Sequence, residues 1–217
     1  MKNYRRFVTG IIVAWFLLAL SASALHVFEN TSQSVGVAVG VAALAPIVLF
    51  SLWFAASKPF REFAFSLDAR NLTLAQIWRV IGVIFVVLEA HRVLPAVFAL
   101  AAGYGDLFIG ATAAFVAWKF GIPAHRGTFI LWQALGITDL VFAVSLGTTA
   151  RLFVSNGPTM VPMTVLPLSL IPTFLVPLFL ILHIICIAQA RGWKAEPNDA
   201  RHTATRAHSP LAGGSLI

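Results

Sequence analysis

Six long apolar stretches fill most of this chain, and they constrain its fold more than any other feature of the sequence. They run over residues 7–28, 35–56, 74–93, 101–118, 129–150 and 164–190. Each approaches the roughly 20 residues that a helix needs to cross the hydrocarbon core of a bilayer, which is about 30 Å thick. Because lipid offers no hydrogen bonds to an open backbone, helices are the favoured spanning structure. The sequence predicts an all-α, polytopic transmembrane bundle of about six spans.

The charge distribution predicts the orientation of this bundle. Hydrophobic residues make up 59% of the chain and charged residues only 11%, which is too few to cover a soluble domain of this size. If the N-terminus is cytoplasmic, Arg92 and Arg151 fall outside and every other Lys and Arg residue falls inside. This positive-inside bias predicts that both termini are cytoplasmic. The net charge of +7 is then expected to meet anionic lipid head groups rather than nucleic acid.

Residues 1–190 are predicted to form one integral-membrane domain, and residues 191–217 a polar, disordered cytoplasmic tail. The N-terminal stretch has two interpretations. Its basic start and Ala22-Ser23-Ala24 resemble a cleavable signal peptide, and cleavage would leave five spans. The apolar run continues past Ala24 to Phe28, which favours a retained first span. We expect the protein in a bacterial-type cytoplasmic (inner) membrane.

The boundaries of the third and fourth spans are set by Arg79 and Pro95. Trp78 and Arg79 are typical of interfacial anchors, because an arginine near a helix end can extend to the head groups. Leu94-Pro95 ends the third span, and residues 95–101 are predicted to form a re-entrant or interfacial turn. Asp106 is then close to lipid depth.

Ionisable residues at lipid depth are candidate functional residues, because lipid makes them costly. An outer group is predicted near the outer boundary, where Arg92 shares a helix face with Glu89 and can reach Asp106. We favour a structural ion-pair cluster there, with an ion or anionic-substrate vestibule and a metal site as alternatives. The members of this predicted outer polar cluster are Glu89, His91, Arg92 and Asp106, with His26 and Arg151 nearby.

An inner pair, Asp139 and His183, is the candidate proton or ion relay. A rise of about 1.5 Å per residue puts Asp139 about 15 Å and His183 about 10 Å from the inner helix ends. An imidazole beside a buried carboxylate can take or return its proton. The alternative is a structural hydrogen bond from Asp139 to Gln133, Thr138 or Ser145.

Sequence motifs for metals, cofactors and catalysis are not found. Glu89 and His91 are two residues apart, so they point to different sides of a helix, and no His pair has the four-residue spacing of helical zinc sites. His26 and His91 differ in depth from His183, which does not suit haem. The single cysteine, Cys186, excludes an intramolecular disulfide. We predict no metal and no cofactor, and the sequence favours a protein that is not an enzyme.

Prolines and glycines add three expectations. Pro162, Pro167, Pro172 and Pro177 should break or bend the last span in its outer half. Gly36 and Gly40 form a small-xxx-small pair that is typical of close helix packing. Residues 103–107 (Gly-Tyr-Gly-Asp-Leu) and 136–140 (Gly-Ile-Thr-Asp-Leu) match at three positions, which is compatible with either an inverted repeat or chance.

Four segments together resemble a group of small bacterial multi-pass inner-membrane proteins that has no established activity. The segments are residues 76–82 (QIWRVIG), 94–106 (Leu-Pro through GYGD), 135–140 (LGITDL) and 170–177 (LIPTFLVP), followed by His183. The resemblance implies a multi-pass fold and no reaction, cofactor or partner.

The leading functional prediction is small-solute, ion or proton transport that uses buried carboxylates. The alternative is a non-transporting bundle that binds a partner protein, a lipid or a hydrophobic cofactor. The lipid bilayer is the expected partner in both cases. A homo-oligomer or a membrane subunit partner fits either prediction, and the sequence does not indicate a substrate.

Overall fold

In the computed structural model, residues 2–29, 36–153 and 157–193 are described, and their regular structure is entirely helical. A 3-10 helix spans Ala75–Gly82, and a π-helical segment spans Ile171–Leu175. Short 3-10 turns lie at Pro123–His125 and Val161–Thr164. The α-helices are α1 (Lys2–Ala24), α2 (Val37–Ala56), α3 (Lys58–Phe65), α4 (Ala69–Leu74), α5 (Val83–Ala90), α6 (Ala96–Lys119), α7 (Arg126–Phe153) and α8 (Val176–Arg191).

Six helical segments are long and apolar enough to cross a membrane, by length and composition. This confirms the predicted all-helical chain with six apolar segments. The orientation, the compartment and the division into a membrane domain and a tail stay predictions, and residues 194–217 of that tail lie outside the described residues. The six segments are Tyr4–Ala24, Val37–Ala56, Ala69–Ala90, Ala96–Lys119, Pro123–Ala150 and Ile171–Arg191.

Helix α6 is central to the packing. It packs against the segment Ala69–Ala90 on one side and against α7 on another, and α8 packs against α7, α4 and α2. One apolar cluster includes Ala102 of α6 and another includes Ile109, so Asp106 lies between two buried clusters along this helix. Helix α1 is the least buried of the six apolar segments.

The 3-10 helix Ala75–Gly82 is unusually long, since such helices seldom exceed three or four residues. With three residues per turn, positions three apart lie in line, whereas an α-helix would rotate each such step by about 60°. The buried residues of this segment are Gln76, Arg79 and Gly82, which have that spacing. The 3-10 geometry therefore directs the side chains of Gln76 and Arg79, together with Gly82, to the same buried side of this segment.

Two predicted boundaries are corrected by the structure. Residues 96–101 are the first turns of α6 and form no re-entrant turn, because Pro95 is the N-cap of this helix. Asp106 therefore lies ten residues into α6, about 15 Å from its start. Arg79 is not an interfacial anchor, because it is only 1% exposed and lies ten residues after Ala69.

The proline prediction is confirmed for the last apolar stretch. The regular α-helix begins only at Val176, and the π-helical segment and a 3-10 turn precede it. No packing role of Gly40 is seen among the described residues, because a Cβ atom added there would meet none of their atoms beyond its own helix within 4 Å.

Candidate functional site

Arg79 is the centre of a buried polar cluster contributed by several of the apolar segments. Its side chain is 0% exposed, so its charge needs partners within the protein. Nε donates to Oδ1 of Asp106 on α6 at 2.7 Å, and Nη2 donates to Oδ2 of Asp139 on α7. One guanidinium thus bridges two carboxylates from two neighbouring helices. We call Arg79, Asp106, Asp139 and His183 the Arg79 cluster.

The third guanidinium nitrogen of Arg79 faces α7 and α8. Nη1 donates to the backbone oxygen of Gly136 at 3.3 Å and lies 3.4 Å from Nε2 of His183. Every nitrogen of the guanidinium therefore has an acceptor. Arg79 reaches all of them because the 3-10 geometry places it on the buried line of its segment.

His183 is held from its other side by a chain of side-chain hydrogen bonds. Its Nδ1 bonds to Oε1 of Gln133, and Nε2 of Gln133 donates to Oγ1 of Thr73 at 2.9 Å. Thr73 in turn donates to the backbone oxygen of Ala69 at 2.8 Å. These three side chains belong to residues that are all 0% exposed. A continuous polar network therefore links α4, α7 and α8.

A glycine from a neighbouring element lies against each of the three acceptor side chains of the Arg79 cluster. A Cβ atom at Gly82 would collide with the Asp106 side chain. A Cβ atom at Gly105 would collide with the Asp139 carboxylate, and a Cβ atom at Gly136 would collide with the His183 ring. The missing side chains make the space in which these polar groups reach Arg79.

The two carboxylates are less buried than the arginine between them. The side chains of Asp106 and Asp139 are 16% and 17% exposed. Within the described residues, Arg79 bonds one oxygen of each carboxylate, and no hydrogen bond is found for Oδ2 of Asp106 or Oδ1 of Asp139. Each carboxylate therefore keeps one oxygen that can accept a proton or bind a cation.

The structure brings Asp139 and His183 to the same site, where Arg79 bonds both. Among the described residues, no hydrogen bond joins the two side chains directly. The predicted relay role of these two residues is not tested by the geometry and stays a prediction. Thr138 and Ser145 bond backbone oxygens of their own helix rather than Asp139.

The predicted outer polar cluster is not formed as one group. Asp106 bonds Arg79 and belongs to the Arg79 cluster, because α6 begins early enough to place it mid-helix. Among the described residues no ion pair joins Glu89 to Arg92. His91 and Arg92 are exposed after the end of α5, and the φ of Arg92 is 55°. His26 pairs with Glu29 instead, at 2.9 Å, and the side chain of Arg151 lies outside the described residues.

The internal sequence match has a structural counterpart. Asp106 and Asp139 occupy equal positions in the two matching segments, and both bind Arg79. Gly103 and Gly136, also matched, lie against Val86 and His183. The paired helices α6 and α7 thus use the same short pattern around one arginine, while the inverted repeat itself stays a prediction.

Sequence reasoning missed Arg79, Thr73 and Gln76. The sequence prediction puts Arg79 at a helix end because it starts the third apolar stretch at residue 74, whereas the helical segment starts at Ala69. The sequence does contain a signal for Arg79, because acids within apolar stretches, such as Asp106 and Asp139, are expected to pair with a basic residue. Gln76 lies in the same line, donates to the backbone oxygen of Phe179 at 3.3 Å and keeps an unbonded buried Oε1.

Among the residues that the structure describes, no group of three or more His, Cys, Asp or Glu residues is arranged to hold a metal ion.

A comparison with protein families matches most of the chain. A model for a domain of unknown function, DUF8737, matches residues 33–191. The chain belongs to the DUF8737 family. The DUF8737 match spans α2 to α8 and so contains the whole Arg79 cluster, while α1 precedes it. No curated protein and no solved structure matches the chain.

Proposed function

We propose that this DUF8737 protein is a multi-pass integral membrane protein that transports a proton or a small cation, using the carboxylates of the Arg79 cluster. Six helical segments with the length and apolarity of membrane spans support the location. The basic residues support cytoplasmic termini, and a bacterial-type cytoplasmic membrane is the compartment that we propose.

The charge balance of the cluster is the observation that carries this proposal. Arg79 contributes one positive charge, and Asp106 and Asp139 contribute two negative charges when both are ionised. With a neutral His183, the site holds one excess negative charge at mid-length of three apolar segments. An unbalanced charge is costly at lipid depth, so the stable state has one bound proton or one bound small cation.

The same geometry lets the bound species be exchanged. The carboxylates are partly exposed, whereas Arg79 is fully buried and keeps its place. Proton or cation uptake therefore occurs at the oxygens that Arg79 does not bond, Oδ2 of Asp106 and Oδ1 of Asp139. It does not require removal of the arginine. Arg79 also stabilises an ionised carboxylate beside it, so protonation of both acids at once would be costly.

Interrupted helices beside the cluster support transport over a purely structural role. Arg79 lies in the 3-10 helix, and α8, which carries His183, follows the π-helical segment Ile171–Leu175. Transporters commonly build ion sites from discontinuous helices near the middle of the membrane. 3-10 and π segments within helices are also frequent at functional sites.

The test is flux in liposomes that contain the purified protein. We expect the wild type to move protons, read with a pH-sensitive dye under an imposed potential, or to move Na⁺ or K⁺. Asp106→Asn and Asp139→Asn should each abolish the flux, because each leaves one acid for one arginine and removes the excess charge. The matched control is Glu62→Gln, which alters an exposed carboxylate on α3 and should leave flux unchanged.

Two results would contradict the proposal. The first is a wild type that inserts and folds but carries no proton, Na⁺ or K⁺ current. The second is flux that survives in both aspartate variants. A folded protein without flux that retains a lipid, a chromophore or a second protein through purification would support the binding alternative instead.

A further inference from the structure

The hydrogen-bond chain behind His183 has a defined direction. The backbone oxygen of Ala69 can only accept, so the hydroxyl of Thr73 must donate to it. With its one hydrogen used, Thr73 accepts from Gln133, whose Nε2 lies 2.9 Å away. The amide of Gln133 is thereby oriented, and its carbonyl Oε1 faces Nδ1 of His183.

The orientation of Gln133 decides the protonation of the histidine ring. A carbonyl oxygen only accepts, so Nδ1 of His183 must carry hydrogen to bond it. On the other side of the ring, Nη1 of Arg79 can only donate, so Nε2 must present its lone pair. Both neighbours therefore require the same neutral tautomer.

We propose that Thr73 and Gln133 are positioning residues that hold His183 as a neutral imidazole protonated on Nδ1, so that Nε2 stays an acceptor for Arg79. A second proton on Nε2 would face the guanidinium and repel it. Proton uptake by His183 and its contact with Arg79 therefore exclude each other. The exchangeable proton of the site belongs to the carboxylates, and His183 fixes the arginine between them.

Among the described residues that bond His183, Arg79 is the charged one. Asp106 and Asp139 lie beyond the guanidinium, and the Trp132 ring is 5.8 Å from the imidazole, centroid to centroid. Cys186 on the same helix bonds Thr73 rather than the ring. Of the other helices that pack against α8, α2 carries no charged residue, and Arg70 of α4 bonds the backbone oxygen of Gly121. The charged residues of α3 lie elsewhere, with Arg61 bonding α2 carbonyls and Glu62 pairing with Lys58.

This inference rests on the proposed function for its meaning in transport, but its test does not use flux. The full-length protein is labelled with ¹⁵N-histidine, and the signals of His183 are assigned by their loss in His183→Gln. The ¹⁵N shifts report which ring nitrogen carries hydrogen. We expect hydrogen on Nδ1 alone from about pH 5 to about pH 8, the range across which an unperturbed histidine titrates.

Variants of the chain test the assigned cause. Thr73→Val removes the hydroxyl at nearly constant shape, frees Gln133 to turn over, and should abolish the single Nδ1–H state. Thr73→Ser keeps the hydroxyl and should retain that state. Thr138→Val is the matched control, because Thr138 is exposed on the Gln133 helix and bonds only its own backbone. If Thr73→Val does not fold, Gln133→Met removes the acceptor of Nδ1 directly and should have the same effect.

The outcomes separate this inference from the proposed function. A wild-type His183 that carries hydrogen on Nε2, or that takes up a second proton within this range, overturns the inference. So does a folded Thr73→Val or Gln133→Met protein with an unchanged tautomer. Flux that is lost or kept in the aspartate variants bears only on transport. A fixed Nδ1–H tautomer in a protein without flux would uphold the inference and reject transport.

Discussion

Replacement of Arg79 by leucine should destabilise the protein more than any other single change in the cluster. The side chain is fully buried and makes two ion pairs, to Asp106 and Asp139. It also bonds the backbone oxygen of Gly136 and Nε2 of His183. Arg79→Leu leaves all four acceptors without their donor, and two of these acceptors are carboxylates in a largely dry site.

Removal of one partner from a buried ion pair costs about 3–5 kcal/mol. The carboxylates of Asp106 and Asp139 are not completely buried, so we expect the cost to stay in that range despite two broken pairs. In a domain of this size, 1 kcal/mol corresponds to about 2–4 °C in melting temperature. Arg79→Leu should therefore lower the melting temperature by about 6–20 °C.

Thermal unfolding of the detergent-purified protein, followed by circular dichroism, measures this loss. The decisive comparison is the triple variant Arg79→Leu, Asp106→Asn, Asp139→Asn, which removes the uncompensated charges together with the arginine. It should recover at least half of the loss, because replacement of a whole buried ion-pair group is far milder than removal of one member. Arg79→Lys keeps the charge but lacks the fork that bonds two carboxylates at once, so it should lie between wild type and Arg79→Leu.

The reasoning is refuted if Arg79→Leu melts within about 2 °C of wild type, a shift that corresponds to under about 1 kcal/mol. It is also refuted if the triple variant is no more stable than Arg79→Leu alone. In that case the three charges are not coupled, and the cluster does not hold the helices together.

Two further predictions concern the glycines and the orientation. Gly105→Ala should push Asp139 away from Arg79 and lower the free energy of unfolding by about 1–3 kcal/mol. In the same melting assay Gly40→Ala should be neutral or stabilising, because the added methyl group meets no described atom beyond its own helix. Equal melting temperatures for the two variants would contradict the close approach at Gly105. A reporter that is active only outside the cytoplasm should be active when fused after Gly157 and inactive when fused after Ile217, because the basic residues favour cytoplasmic termini. Activity at Ile217 would overturn the orientation.

The apolar segments can be predicted from sequence because the length of a membrane span depends on local composition alone. The break before α8 is predictable for a similar reason, since proline removes a backbone donor wherever it lies in a helix. The start of the third segment is not predictable from hydropathy, because residues 69–73 are mostly polar or small. The helix begins there because Asp68 caps it, its carboxylate accepting from the backbone N–H of Arg70. Thr73 then lies inside this helix, where its hydroxyl donates to the backbone oxygen of Ala69 and accepts from Gln133.

The pairing within the cluster depends on helix adjacency, which the sequence leaves open. Nearness in sequence favours a pair of Asp106 with Arg92, but mid-helix depth brings Asp106 to Arg79 instead. The 3-10 geometry of Ala75–Gly82 has no strong local signal either, and without it Gln76, Arg79 and Gly82 would not lie in one line. Asp139 and His183 are recognisable as candidates because each is an isolated ionisable residue in an apolar run, which needs no tertiary information.

A rule of charge balance locates the cluster once the bounds of the helices are known. Arg79, Asp106 and Asp139 are the charged residues deep within their apolar segments, and lipid makes it costly to leave any of them alone. Two acids and one base share one site in this structure. The acids exceed the base by one, so the fully ionised group carries a net negative charge. This excess is the basis of our proposal that the site binds and releases a positive charge.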